Sequence, residues 1–162
     1  MTASKRPFSL PSLLINLAIP LAFGIIGGLI NQQSSDSWYA ALNKPSFNPP
    51  SWVFGPVWTL LYIMMGISAY LVWQKRDQIT HLPRTIAVYL IQLVLNLFWT
   101  FLFFYAHKIG AAAIEIIALF IVILINARVF YKIDKTAGLL FIPYAIWVSF
   151  ASVLTYTIYS IN

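Results

Sequence analysis

Residues 109–130 read IGAAAIEIIALFIVILINARVF: 22 positions with one acid, Glu115, one base, Arg128, and one amide, Asn126. At about 1.5 Å per residue, a run this long spans a hydrocarbon layer of about 30 Å. Its polarity does not alternate, as it would in the segments of about 10 residues that build outer-membrane barrels. In lipid every backbone N–H and C=O has to be satisfied inside the segment, so the run is a helix.

Four more runs of the same kind surround it, at 13–30, 52–73, 85–105 and 137–158. The resulting fold class is all-α: an integral membrane bundle of five transmembrane helices, forming a single domain over 1–162. The first run follows Lys5 and Arg6, as a signal peptide's core would. Such cores are about 7–15 residues long; this one has 18 and no small-x-small site before Asn31, so it reads as a retained helix. The composition agrees. The chain is 60% hydrophobic and 9% charged, and its mean hydropathy is +0.81. Soluble domains carry about 25% charged residues, and disordered chains need high charge with little apolar content. Both classes are excluded.

The absence of cysteine removes disulfides, iron–sulfur clusters and a thiol nucleophile. His81 and His107 are the only histidines, too few for a zinc site of three or four clustered ligands. No Ser-His-Asp set and no phosphate-binding Gly loop is present, so hydrolase and NTPase readings fail.

The net charge is +6. Lys5, Arg6, Lys75, Arg76, Arg84, Arg128, Lys132 and Lys135 fall on one side of the five segments, and Lys44 and Lys108 on the other. The positive-inside rule then places the N-terminus in the cytoplasm and the C-terminus outside. Membrane flanks account for every base, which leaves no concentrated patch for nucleic acid.

The longest loop, 31–51, lies on the outer side and reads NQQSSDSWYAALNKPSFNPPS. Long loops are often functional lids. Three prolines, Pro45, Pro49 and Pro50, lower the entropy lost in ordering this one. Beneath it, Gln92, Asn96, Trp99 and Phe103 recur at steps of 4, 3 and 4. Tyr144, Trp147, Ala151 and Leu154 recur at 3, 4 and 3, and Trp58 and Tyr62 at 4. Each set occupies one helix face. Trp58 and Trp99 lie about 9 Å below the outer helix ends and Trp147 about 16 Å, too deep for an interfacial aromatic belt. Aromatic walls with a few polar groups under a lid suit an apolar ligand. Glu115, about 9 Å deep, needs a partner or a proton; a tyrosine hydroxyl or Asn96 is the expected partner, in either a packing or a ligand role. Gly24 and Gly28 have the GxxxG spacing of a helix-packing face, which offers a homodimer contact.

Trp38-Tyr39, Leu42, Lys44-Pro45 and Pro49-Pro50 resemble the W-Y-x-x-L-x-K-P-x-x-x-P-P signature of the TspO/translocator protein (peripheral benzodiazepine receptor) family. Gly55, Val57-Trp58, Leu61-Tyr62, Asn96, Trp99, Phe103-Phe104, Pro143-Tyr144, Trp147 and Phe150-Ala151 continue the match in family order, over roughly 36–156. The resemblance implies five helices around a pocket for porphyrins, sterols and benzodiazepine-type ligands, capped by the first loop. It implies Trp58, Tyr62, Asn96, Trp99, Trp147 and Ala151 as pocket residues, with Trp38, Pro49 and Pro50 in or near the lid; Tyr144 joins them from the helical spacing. Family members carry an acid, usually Asp, early in the fourth helix, where this chain has Glu115. The sterol pattern L/V-x-Y-x-K/R stops short here: Leu154 and Tyr156 have no base after them before Asn162. A bacterial-type member acting on tetrapyrroles in the cell membrane fits best.

Three functions arise as expectations. One is a porphyrin receptor with no resident cofactor, the porphyrin being ligand. A second is an enzyme degrading protoporphyrin with light and oxygen, with Trp58 and Trp147 as the reactive residues. A third is a transporter, for which five unrelated segments lack the two equal halves common in that class.

Overall fold

The computed structural model describes residues 7–34 and 38–162. Among them every regular element is a helix: α1 (Leu10–Ser34), α2 (Ser51–Trp73), α3 (Leu82–Thr100, continuing as a π-helical turn over Phe101–Tyr105), α4 (Ile109–Ile133), a short α5 (Lys135–Leu139) and α6 (Ile142–Ile161). These form five membrane spans, α5 and α6 together making the last.

The helices differ from the hydropathy runs at their ends, for local reasons. α1 begins three residues before the run at 13–30, where the Ser9 side chain accepts from Ser12 N at 3.4 Å and the Ser9 carbonyl from Leu13 N at 3.0 Å. It continues through 31–34, because a helix leaving the membrane no longer needs apolar residues; with Ser51 already in α2, the loop expected over 31–51 is shorter by five positions. α3 begins at Leu82 rather than 85, with Pro83 in its first turn, where a missing N–H costs nothing. The run at 137–158 is broken at Leu140 and Phe141. Pro143 has no N–H to bond the carbonyl of Leu139 four residues back, and α6 restarts with that proline in its first turn.

The helices form a ring. α1 packs on α2 and α3, α3 on α4, α4 on α5 and α6, and α5 on α2. Tyr62, Met65, Leu93, Ile116, Leu119, Ile123, Phe141 and Val148 fill the centre. The periphery is apolar too: Ile114 is 75% exposed and Ile25 65%. Large aliphatic residues standing free on every outward face mark a surface solvated by lipid.

Three close approaches hold the ring. A Cβ on Gly66 would lie 2.8 Å from Leu17 Cα, so α1 and α2 meet there backbone to backbone. Gly138 meets the Tyr131 backbone in the same way, joining α5 to α4. Lys75 Nζ lies 2.7 Å from Asp134 Oδ2 and also donates to the Ile133 carbonyl at 3.1 Å. Partial burial would raise the Asp134 carboxyl, but the Lys75 ammonium and the backbone N–H of Ala137 outweigh it and hold the group below its ordinary 3.8. Such a depressed pKa contributes stability above the unfolded value, and that stability is lost as pH falls through the folded value. Lys75→Met is therefore expected to lower the thermal midpoint at neutral pH, and the gap to wild type to narrow as pH falls well below the carboxyl's ordinary 3.8, leaving only the loss of the Ile133 bond. A gap of equal size at neutral and at acid pH would rule the pair out as its cause.

Candidate ligand-binding site

A cavity of about 930 Å³ occupies the half of the bundle where α1 and α3 end and α2 begins. Gly24 and Gly28 form its α1 wall, Phe54, Trp58 and Tyr62 its α2 wall, Asn96, Trp99, Phe103 and Phe104 its α3 wall, and Trp147, Ala151 and Leu154 its α6 wall; Tyr39, Ala40 and Lys44 of the loop close over it. It reaches the lipid-facing surface between α1 and α2, where Ile25, Gly28, Gly55 and Thr59 both line it and are exposed. Neither Gly28 nor Gly55 has anything within 4 Å of the place a Cβ would take.

The floor is set by one amide. Tyr62 OH donates to Asn96 Oδ1 at 2.7 Å, and Asn96 Nδ2 donates to Tyr144 OH at 2.9 Å. Asn96 is 3% exposed and Tyr144 1%. With hydrocarbon around them these groups have no water to fall back on, so the pair of bonds ties α2, α3 and α6 at one depth.

Aromatic rings build the walls. Trp58 lies 5.8 Å from Tyr62 and meets Tyr144 edge-on at 6.1 Å. Phe54 meets Trp147 edge-on at 5.9 Å, and Trp99 stacks on Phe103 at 5.3 Å. The indole N–H groups of Trp99 and Trp147 are buried and have no acceptor among the described residues.

The loop is pinned from several sides. Trp38 stacks on His107 at 4.1 Å with 13° between the planes, and meets Phe103 edge-on at 5.7 Å. His107 adopts φ 54°, alone among non-glycine residues described; it turns the chain sharply between α3 and α4. Lys44 Nζ donates to the carbonyls of Ala40 and Leu42 at 3.2 and 3.0 Å and sits 4.8 Å above the Tyr39 ring. Tyr39 OH donates to Asn48 Oδ1 at 3.1 Å; burial still raises that phenol above its ordinary value. At the far end, Asn43 N donates to Asn162 Oδ1 at 2.9 Å, and Asn162 Nδ2 donates back to the Asn43 carbonyl at 3.0 Å. Asn162→Ala is expected to raise deuterium uptake across 40–48 and leave the transmembrane helices unchanged. Equal uptake would show that the pair does not hold the loop.

Of the residues singled out from the sequence, Trp58, Tyr62, Asn96, Trp99, Trp147 and Ala151 come together on the cavity wall. Tyr144 stands behind it, holding Asn96. Trp38 lies in the loop between His107 and the wall residue Phe103, and does not itself line the cavity. Pro49 accepts from Asn48 Nδ2 at 3.1 Å and Pro50 caps α2; neither lines the cavity. Glu115 is buried off the wall, and its carboxylate oxygens have no hydrogen-bond partner among the described residues. The expected pairing with Asn96 does not form, because both ends of that amide are taken by Tyr62 and Tyr144. Gln92, on the same face of α3, donates instead to Met65 Sδ at 3.9 Å. No three of His, Asp and Glu gather among the described residues.

The α1 wall and Phe104 were not legible as pocket. Leu21, Gly24 and Gly28 recur at steps of 3 and 4, which was a signal available for the first. The Gly24 Cβ position lies 2.6 Å from the Tyr62 ring, so that glycine is spent inside the chain, while Gly28 stays exposed with nothing within 4 Å of its Cβ position. Phe104 is brought in by the π turn. There Ala106 N bonds the Phe101 carbonyl at 2.9 Å, and the widened turn lets Phe103 and Phe104 both reach the cavity.

A model of the TspO/MBR family matches residues 16–160. The tryptophan-rich protein TspO of Archaeoglobus fulgidus is 39% identical over 150 residues, covering 93% of this chain and 96% of that one. Its namesake in Chlorobaculum tepidum is 37% identical over 155 residues, covering 93% and 96%. The translocator protein of Homo sapiens is 36% identical over 126 residues, covering 77% and 75%. Five apolar spans, an aromatic cavity under the first loop and these matches over nearly the whole length agree: the chain is a multi-pass membrane protein of the TspO/MBR family.

Proposed function

We propose that this protein is a membrane receptor for porphyrins of the protoporphyrin IX type, and for other flat apolar ligands such as benzodiazepine-type compounds, serving tetrapyrrole regulation or stress sensing. The observation that carries this is the cavity itself. Its volume is near the top of the roughly 300–1,000 Å³ range of small-molecule sites. Three of the helices around it offer ring faces for stacking. The free indole N–H groups of Trp99 and Trp147 can donate to a ligand's acceptors. The opening between α1 and α2 faces lipid, from which such a ligand would arrive.

The test is an absorbance and fluorescence titration with protoporphyrin IX in the dark. Saturable binding is expected, with Kd raised about ten-fold in Trp58→Phe/Trp147→Phe, an amount equal to roughly 1.4 kcal/mol. Non-saturable partitioning equal in both proteins would refute the reading.

A second reading, light- and oxygen-dependent porphyrin degradation, is favoured by one fact: the Trp58 and Trp147 indoles line the same cavity. A photoexcited porphyrin can oxidise an indole, with dioxygen as the terminal oxidant. Illumination in air of the same two proteins separates the readings. A new product that needs both tryptophans means an enzyme, and equal bleaching with and without them means a receptor. A transporter would show porphyrin flux into sealed vesicles.

The basic asymmetry supports an N-terminus in the cytoplasm and a C-terminus outside. With no native cysteine, Asp77→Cys and Ser160→Cys test this cleanly. An impermeant maleimide added to intact cells should label only Ser160→Cys; the reverse pattern would invert the topology.

A further inference from the structure

At the opposite end of the bundle from the cavity, three cations stand exposed at similar heights on two adjacent helices. Ile117, Ile121, Leu124, Arg128 and Lys132 succeed one another at helical steps along α4, and each is exposed. On the adjacent α3, Arg84, Ile91, Val94 and Phe98 do the same. α3 and α4 pack side by side, joined by three residues, so they run antiparallel and their levels can be compared. Arg84 lies about 31 Å from that joint, Arg128 about 28 Å and Lys132 about 34 Å. The guanidinium of α3 thus falls at a height between the two cations of α4, all three at the foot of a lipid-facing aliphatic wall.

None of the three has an acidic partner among the described residues, where Asp134 is taken by Lys75. Arg128 is the demanding one. It lies five residues inside the end of α4, about 7 Å from it, on a face that looks at lipid. A charge at that depth needs a counter-charge or must reach for the headgroups. Guanidinium matches phosphate with two parallel hydrogen bonds, and basic seams between membrane helices hold anionic headgroups.

We propose that the α3–α4 seam is a binding site for one class of molecule, an anionic diacyl phospholipid. Its phosphate sits among Arg84, Arg128 and Lys132, and its acyl chains lie along the wall of Ile121, Leu124 and Val94. This site is separate from the porphyrin cavity, and its test makes no use of porphyrin.

The experiment compares the full chain in nanodiscs of phosphatidylcholine with and without phosphatidylglycerol. It reads the thermal midpoint, and the phosphatidylglycerol retained after detergent extraction by native mass spectrometry. Wild type should gain several degrees from phosphatidylglycerol and retain one or two molecules of it. Arg84→Gln/Arg128→Gln/Lys132→Gln should lose the gain, with retention falling about five-fold for each cation removed. Lys108→Gln/Lys135→Gln, which removes two charges elsewhere, should keep both. No advantage of phosphatidylglycerol over phosphatidylcholine in wild type overturns the proposal, as does an equal loss in the control variant, which would mean net charge alone. A changed oligomeric state in the triple variant would also overturn it, making the seam a contact between copies. If the triple variant does not fold, Arg128→Gln alone carries the same comparison against Lys108→Gln.

Discussion

Replacing Asn96 with leucine is expected to lower the thermal midpoint and the affinity for protoporphyrin IX together. Leucine keeps the volume but removes both bonds of the amide, to Tyr62 OH at 2.7 Å and Tyr144 OH at 2.9 Å. Two phenols are left without these partners at a depth where water does not reach. A buried polar group deprived of its partner costs about 1–3 kcal/mol, while hydrogen bonds between membrane helices average about 0.6 kcal/mol in mutant cycles. The expected total is about 1–3 kcal/mol, and affinity should fall about ten-fold or more as Tyr62 and its neighbour Trp58 lose their fixed positions. A cycle against Tyr62→Phe/Tyr144→Phe checks the cause. In the combined variant most of the loss should be recovered or absent, because nothing is left unpaired. Losses that simply add would mean that the three residues act independently.

Gly66→Val is expected to prevent recovery of folded protein. The added Cβ would meet Leu17 Cα at 2.8 Å and the Asn16 carbonyl oxygen at 3.0 Å. These are backbone atoms of a helix and cannot swing aside, so α1 must move as a body. Overpacking costs about 1–3 kcal/mol for small insertions, and sometimes more. Gly66→Ala should survive with a midpoint lowered by about 3–10 °C and with weakened porphyrin binding, since a displaced α1 carries Gly24 away from Tyr62. Gly28→Ala is the comparator. Nothing stands within 4 Å of its Cβ position, so its midpoint should equal wild type. A Gly66→Ala protein as stable as Gly28→Ala would show that the helices are not in backbone contact.

The five spans were legible because lipid imposes one rule on each of them: apolar length. The wall residues of α2, α3 and α6 were legible because aromatic and amide side chains at helical steps are rare at membrane depth unless they face something. Trp58, Asn96, Trp99 and Trp147 all obeyed that logic. The α1 wall did not show itself, since glycine contributes by what it lacks. Gly24 admits the Tyr62 ring, and no hydropathy pattern announces such a fit. The break at Leu140–Phe141 was marked by Pro143, but an apolar run conceals where one helix stops and another begins. Glu115 illustrates a different limit. A periodic pattern says which face a residue occupies, but not that its intended partner is already engaged by two tyrosines.

The π turn at Phe101–Tyr105 gives this protein one place where its length can change. A turn of that kind holds one residue more than an α-helical turn does. Excising Leu102 would let it relax to the ordinary pitch. Phe103 and Phe104 would then stand three and four places after Trp99, a spacing that keeps all three on one face. Both rings would still look into the cavity, and α4 would still start from the same level. The same excision at Leu95 has no such reserve to draw on. It would turn Asn96 and Trp99 by about 100° relative to Gln92 and pull the span in by about 1.5 Å, taking the amide away from both tyrosines. Along α3, then, a gain or loss of one residue is absorbed at the mouth of the chamber and ruinous at its floor.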